Sequence, residues 1–270
     1  LAYADTPAMD ALAGKSQIGM VKTVPEGMSP GSDTANLSVL GYDPKIYYSG
    51  RSPLEALNIG VDMKQGDVAI RANIVTLSEE EEKYEDKRIL DHSADEISTE
   101  DAAVLLEAVK KELENATCQF YVGTSYRHCL IWADGAVVPL TPPHDIRGKV
   151  IGDYLPKEQL LLEMQKKSYD ILVNHPLNLE RKKKGLNPAN SLWFWGAGTK
   201  PALSSFEEKF HKKGAMISAV DLLKGIAVGT HMHNITVEGA NGGLDTNYEG
   251  KAQAAADALL QDGYDFAYIH

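Results

Sequence analysis

The stretch Pro30-Gly31-Ser32-Asp33-Thr34-Ala35-Asn36 holds the residues best suited to covalent chemistry. Pro30-Gly31 turns the backbone, Ser32 and Asp33 are helix-capping types, and Ala35 to Leu40 carries a helical apolar pattern closed by Gly41. A hydroxyl at a helix N-terminus lies beside unpaired N–H groups and the positive end of the helix dipole, where a phosphoryl group can be held. Serine is a poor nucleophile at its own pKa, so a base or a metal must activate it. The same residue types also serve a helix cap and nothing more, and the local pattern leaves both readings open.

A second set of residues suits the recognition of anions. Arg71, His92, Arg127, His128, His144, Asp145 and Arg147 fall in the middle of the chain. Arginine grips carboxylate or phosphate through a planar fork, which suits a ligand carrying both groups. Arg127-His128 lies on an apolar strand-like run, and two prolines restrict the backbone before His144. Lys224 ends the short helical pattern that begins at Val220, where it either neutralises an anion or complements a helix C-terminus. His231 and His233 share a strand face, but two histidines without a third ligand are a weak metal signal, and a structural reading is preferred. Gly196-Ala197-Gly198 and Gly239 to Gly243 lack the context of a nucleotide-binding fingerprint.

The elements that position these residues follow from periodicity and punctuation. Thr6-Pro7 opens a short helix closed by Gly14, and Gln17 to Val24 reads as a strand leading into the Ser32 turn. Ser52-Pro53 caps a helix ending at Gly60, and Asp67 to Leu77 is a strand rich in β-branched residues. Ser98-Thr99-Glu100-Asp101 has capping-box form, and Ala102, Leu105, Leu106, Val109 and Leu113 then share one helix face. Strands are expected at Cys118 to Gly123 and Arg127 to Trp132. Asp134-Gly135 then signals a hairpin into Ala136 to Leu140. A long helical region from Pro156 breaks at Asn174-His175-Pro176, and the basic run Arg181 to Lys184 complements a helix end. From Ser191 strands and helices alternate, with strands at Ser191 to Trp195, Ala215 to Ser218, Asn234 to Val237 and Tyr264 to Ile269.

Bulk properties bound the classes available. A net charge of −11 argues against sequence-independent nucleic-acid binding, and no apolar run approaches the length that crosses a bilayer. Cys118 and Cys129 form neither a disulfide framework nor a zinc pattern and read as buried thiols. The expectation is a cytoplasmic protein with a small-molecule ligand, without nucleic-acid or membrane partners.

The Ser32 stretch resembles the phosphoserine motif of cofactor-independent phosphoglycerate mutases, in the archaeal-type branch of the alkaline phosphatase superfamily. Arg51-Ser52-Pro53-Leu54-Glu55-Ala56, Gly66-Asp67-Val68-Ala69-Ile70-Arg71 and Pro143-His144-Asp145 resemble the same family in the same order. So do Trp193-Phe194-Trp195-Gly196, the segment from Ile217 to Gly225, and Asp245-Thr246-Asn247-Tyr248. The resemblance covers essentially the whole chain. It implies an α/β fold with a mostly parallel sheet covered by helices, and an inserted α+β substrate-binding domain over 66–187 between phosphatase-like parts at 1–65 and 188–270.

It also implies a glycolytic isomerase that moves a phosphoryl group between the 3- and 2-positions of glycerate through phospho-Ser32, without 2,3-bisphosphoglycerate. In that picture Lys224 neutralises phosphate charge and Arg71, His92, Arg127, His128, His144, Asp145 and Arg147 bind substrate. Two divalent metals, Mn²⁺ or Mg²⁺, activate the serine, which is itself a ligand. The other metal ligands of the resembled family fall outside the span of this chain. The expectation is therefore a chain truncated at both ends and inactive by itself, within an active parent. A phosphomonoesterase or other phosphotransferase of the same superfamily, and a non-catalytic anion-binding fragment, are the alternatives.

Overall fold

The computed structural model describes residues 4–28 and 30–270. Two compact units divide the chain, residues 1–46 and 47–270. In the first, helix α1 spans Pro7–Ala13, with proline at its start and Gly14 at its end as the punctuation predicts. Helix α2 spans Ser32–Val39 and buries Asp33, Thr34, Asn36 and Leu37. Gln17 to Val24 is not a strand. Its apolar residues are open to solvent, Met20 completely, and an extended run without a ladder partner is not a strand however well its composition suits one.

The second unit is built around β1, Val68–Leu77, whose ten residues are all buried. A five-stranded antiparallel sheet forms on it. β4 (Arg127–Trp132) pairs along one edge and β5 (Ser191–Thr199) along the other, while β2 (Ile89–Asp91) continues the ladder at the end of β1 and β3 (Cys118–Tyr121) lies outside β4. The sheet that opens at 68 thus closes at 199, twelve residues past the expected end of the insert at 187. β5 is antiparallel to β1, although the alternation of elements from Ser191 predicts membership of a parallel sheet. Among the described residues the parallel strand ladders lie in a three-stranded sheet of β6 (Gly214–Ile217), β7 (His233–Asn234) and β8 (Phe266–Ile269). The whole is a mixed α/β fold.

Alternation along β1 gives its two faces different work. Val68, Ile70, Ala72 and Ile74 join the main core. Helix α5, Thr99–Leu113, covers that core with the five residues its periodicity singles out, and Ser98 caps it by accepting from Asp101 N–H. Helix α6, Gln159–Leu172, adds Leu161, Met164 and Leu172 before the chain breaks and restarts at α7, Pro176–Lys183. On the opposite face Ala69 packs with Ala56, Val61, Met63, Cys129 and Ile131, and Val75 with Leu77, Trp193 and Trp195. Arg71 and Asn73 lie between these two apolar clusters, on the same face by the two-residue period.

The expected hairpin strand at Ala136 to Leu140 is an irregular segment without a ladder. Its turn signal is local, but pairing along the sheet is taken by β3 and β1, which occupy both sides of β4. Among the described residues no helix is long and apolar enough to cross a membrane.

Candidate functional site

Ser32 is the first residue of α2 and is exposed. The N-cap is Gly31, in extended conformation and without a side-chain cap bond, so the Ser32 hydroxyl stands beside the helix start rather than closing it. A Cβ at Gly31 would meet the Asp33 carboxylate at 2.4 Å, so a larger residue there would have to displace that side chain. Asp33 is buried and accepts from Thr34 N–H, and Asn36 donates back to the Ser32 carbonyl at 2.7 Å. The hydroxyl is therefore presented by a rigid first turn.

In the second unit the floor of a polar cleft is Arg71, only 5% exposed. Helix α4, Arg51–Asn58, brings Glu55 over it, and Nη1 donates to both carboxylate oxygens at 2.6 and 2.7 Å. Arg71 Nε donates to Asn73 Oδ1 at 3.1 Å, and the guanidinium lies 4.8 Å from the centre of the Trp195 ring. Burial lowers Arg71 from its ordinary value, against the opposing pull of Glu55. A buried charge survives only when paired and hydrogen-bonded, and Glu55 with Asn73 supplies both conditions. Arg51 shares Glu55 at 2.9 Å.

α4 holds this position by crossing helix α9, Asp221–Gly229, at very short range. A Cβ on Gly225 would meet the Leu54 carbonyl at 1.8 Å, so only glycine permits the crossing. α9 places Asp221 where its Oδ2 faces Arg127 Nη2 at 3.7 Å and its Oδ1 accepts from Asn58 at 3.2 Å. Arg127 also stacks on Tyr126 at 5.2 Å, yet its buried Nε has no hydrogen-bond partner among the described residues. His128 is buried beside it. Its Nδ1 accepts from Gly123 N–H at 3.2 Å, so the proton sits on Nε2, which is again without a partner among the described residues. Burial first and the Arg71 charge second push its pKa down to about 3, and the ring is a neutral donor at ordinary pH.

A cleft of about 160 Å³ opens between Arg51, Arg71, Arg127 and the start of α9, with a smaller recess of about 20 Å³ beneath it against His128. Arg127 lines the cleft and its unpaired Nε is an N–H donor, so the region asks for acceptor oxygens. Lys224 is not among the residues lining the cleft. It does not end its helix: α9 runs on to Gly229 and Lys224 belongs to the first turn. A lysine there opposes the helix dipole, so the C-terminal complement read from sequence does not explain it.

Of the remaining predicted residues, His92, His144 and Asp145 gather around Trp195 beside the cleft, and Arg147 is not brought to it. His92 stacks edge-on to Tyr126 at 5.9 Å and to His144 at 6.2 Å, and His144 meets Trp195 at 5.3 Å. A 3₁₀ turn, Pro143–Ile146, carries His144 and Asp145 as the prolines predict. Burial lowers the His144 pKa, partly offset by Asp145, whose Oδ1 is 3.8 Å from Nε2. Arg147 is exposed, and only its backbone is tied in, bridging to Ile89.

His92 leads into Ala94, Asp95 and Glu96, three consecutive non-glycine residues with φ between 49° and 58°. Such a run is strained and is held here by side chains: Asp91 accepts from the Ser93 and Asp95 N–H groups, and Arg181 donates to the Ala94 carbonyl. The basic run at 181 therefore does more than complement a helix end.

Arg51, Glu55, Asn73, Trp195 and Asp221 belong to the cluster without having been singled out from sequence. Arg51, Glu55, Trp195 and Asp221 all stand inside the segments that carry the family resemblance, which was the available signal. Asn73 had none.

The two-metal expectation was tested against the donors present. Among the described residues no group of three or more His, Cys, Asp or Glu side chains converges, so these residues do not make a metal cage around Ser32 or elsewhere. His233 instead stacks on Tyr264 at 5.5 Å, a structural placement. Cys118 and Cys129 are free and buried.

The family model for 2,3-bisphosphoglycerate-independent phosphoglycerate mutase matches residues 13–178. Curated relatives of that name from Methanosarcina barkeri and Methanosarcina acetivorans are 51% and 46% identical, over all of this chain and 67% of their own length. The PH0037 protein from Pyrococcus horikoshii superposes with a TM-score of 0.75 at 32% identity, over 100% of this chain and 64% of that one. A cofactor-independent phosphoglycerate mutase from Thermoplasma acidophilum gives 0.53 at 30% identity, over 89% and 64%. The chain thus spans about two thirds of the length of these relatives. With matches of this extent, the chain belongs to the 2,3-bisphosphoglycerate-independent phosphoglycerate mutase family.

Proposed function

We propose that the full-length protein interconverts 3-phosphoglycerate and 2-phosphoglycerate through a phosphoserine at Ser32, without 2,3-bisphosphoglycerate. The observation that carries this reading is the donor-rich cleft lined by Arg51, Arg71 and Arg127, with the Nε of Arg127 buried and unpaired among the described residues. Phosphoglycerate carries a carboxylate and a phosphate, and both are sets of acceptor oxygens. Lys224, on the wrong end of its helix for the dipole, supplies a further cation for phosphate. His92, His144 and Asp145 bind at the rim, and Arg147 from outside it.

In the first step Ser32 Oγ attacks phosphorus and the bond from phosphorus to the glycerate oxygen breaks. The serine proton is lost, and the departing alkoxide is protonated to a hydroxyl. In the second step the neighbouring glycerate hydroxyl attacks the phosphoserine phosphorus, loses its proton, and returns Ser32 to the free hydroxyl. Between the two steps glycerate has to stay bound and reorient, which favours a clamp on its carboxylate and exclusion of water. The buried members of the cleft suit that clamp. The described residues do not form a metal cage, and the 270 residues alone are expected not to turn over.

The test is a mutase assay on the full-length protein with 3-phosphoglycerate and Mn²⁺, with no bisphosphoglycerate added and Ser32→Ala alongside. The reading requires 2-phosphoglycerate from the wild type and none from the variant. Release of free phosphate instead would make the protein a phosphatase.

A further inference from the structure

We infer that Asn73 is a positioning residue for the anion cleft, setting the direction in which the Arg71 fork meets its ligand. This rests on the proposed binding of phosphoglycerate at Arg71. Asn73 is 1% exposed and touches three parts of the cleft at once. Its Oδ1 accepts from Arg71 Nε and from Trp195 Nε1, each at 3.1 Å, and its Nδ2 donates to the His92 carbonyl at 3.4 Å. The amide can stand only one way round, because two N–H donors face one end and a carbonyl the other.

The consequence for Arg71 is geometric. Guanidinium is planar, so fixing two of its nitrogens fixes the third. Nε is held by Asn73, Nη1 by Glu55, and one face of the plane by Trp195. What is left is Nη2, which has no hydrogen-bond partner among the described residues. Its two N–H groups therefore point in a direction set by Asn73 and Glu55 together. Glu55 alone could not hold it, since a carboxylate gripping one terminal nitrogen leaves the fork free to swing about that nitrogen. Trp195 depends on Asn73 as well: with its indole N–H bound, the ring stays over the Arg71 guanidinium and edge-on to His144. Through the His92 carbonyl the same amide secures the start of the strained turn at 94–96.

The experiment is steady-state kinetics of the full-length protein carrying Asn73→Ala, with Asn73→Ser, which keeps a shorter acceptor, used if the first does not fold. Loss of folded protein lowers the maximal rate but leaves KM unchanged, whereas a misdirected fork raises KM. The expected result is a KM for 3-phosphoglycerate raised about tenfold or more, the scale on which small misplacements act. A KM within about twofold of wild type, with only the maximal rate reduced in step with folded protein, overturns the proposal. If the wild type itself turns over no phosphoglycerate, the mutase reading has failed separately. Calorimetric binding of 3-phosphoglycerate to the same variants then decides: about tenfold weaker binding by Asn73→Ala supports the positioning role, and unchanged binding overturns it.

Discussion

On the sheet face of the cleft, Arg71 and Asn73 are both at least nine-tenths buried, and every contact that orients Arg71 is a hydrogen bond or a ring face. At its mouth His144 and Asp145 have side chains 47% and 63% exposed, and their mutual contact is 3.8 Å long. The floor is fixed before any ligand arrives, and its unsatisfied donors define what can enter. The rim is held mainly by ring edges. Buried polar groups pay for misplacement in full, because no water compensates them, while exposed ones lose little. The floor should accordingly govern both stability and affinity, and the rim should modulate them.

Removing Glu55 probes that difference most severely. Glu55→Ala leaves the Arg71 guanidinium buried without its counter-ion, a change that costs about 3–5 kcal/mol in comparable buried pairs. Denaturant unfolding should show it, and a loss no larger than that of a surface substitution would show that Arg71 is not committed to the floor.

Acid should weaken the sheet that carries the floor through the buried His128. Unfolded, its imidazole titrates near 6.5, and folded at about 3. Between these values the unfolded chain binds the proton, so stability is complete above about 6.5 and falls as pH is lowered toward 3, at up to about 1.4 kcal/mol per pH unit. His128→Gln should flatten that slope in unfolding curves taken across the window. An unchanged slope would assign the acid sensitivity to other groups.

The turn after His92 gives a smaller effect of opposite sign. Glu96 is exposed with φ at 50°. Glu96→Gly relieves left-handed strain at some cost in unfolded-chain entropy, and should raise stability by up to about 1 kcal/mol. Destabilisation in a thermal melt would contradict the strain. Smallest is Arg147→Ala, outside the rim. Its exposed side chain should change stability by less than about 0.5 kcal/mol. KM should move far less than with Asn73→Ala, and a comparable rise would give Arg147 as large a share in binding as the floor.

The sequence reads well where a signal is local. The α5 face, its Ser98 cap, the α6–α7 break and the buried β1 are set by neighbours within a few turns, and each stands as its periodicity predicts. Strand partnership is not local. Gln17 to Val24 and Ala136 to Leu140 have strand composition but no ladder, and β5 lies antiparallel to β1 rather than in a parallel sheet. The same limit hides part of the site. Asn73 meets Trp195 across 122 residues, so nothing near it in sequence marks it as the hub. Arg71 and His128 were legible by residue type, but the carboxylate and amide that make a buried arginine tolerable were not. Lys224 does not end its helix, because the helix continues through Gly225, where close crossing with α4 overrides the usual reading of glycine as a helix end.

The most direct measurement of the central claim is an acid-quenched reaction of the full-length protein with 3-phosphoglycerate labelled in the phosphoryl group, followed by peptide mass spectrometry. The account predicts one labelled phosphoryl group on the peptide containing Ser32, none in Ser32→Ala, and chase of the label into 2-phosphoglycerate. Product formation with no label on Ser32, or label on another residue, would contradict it.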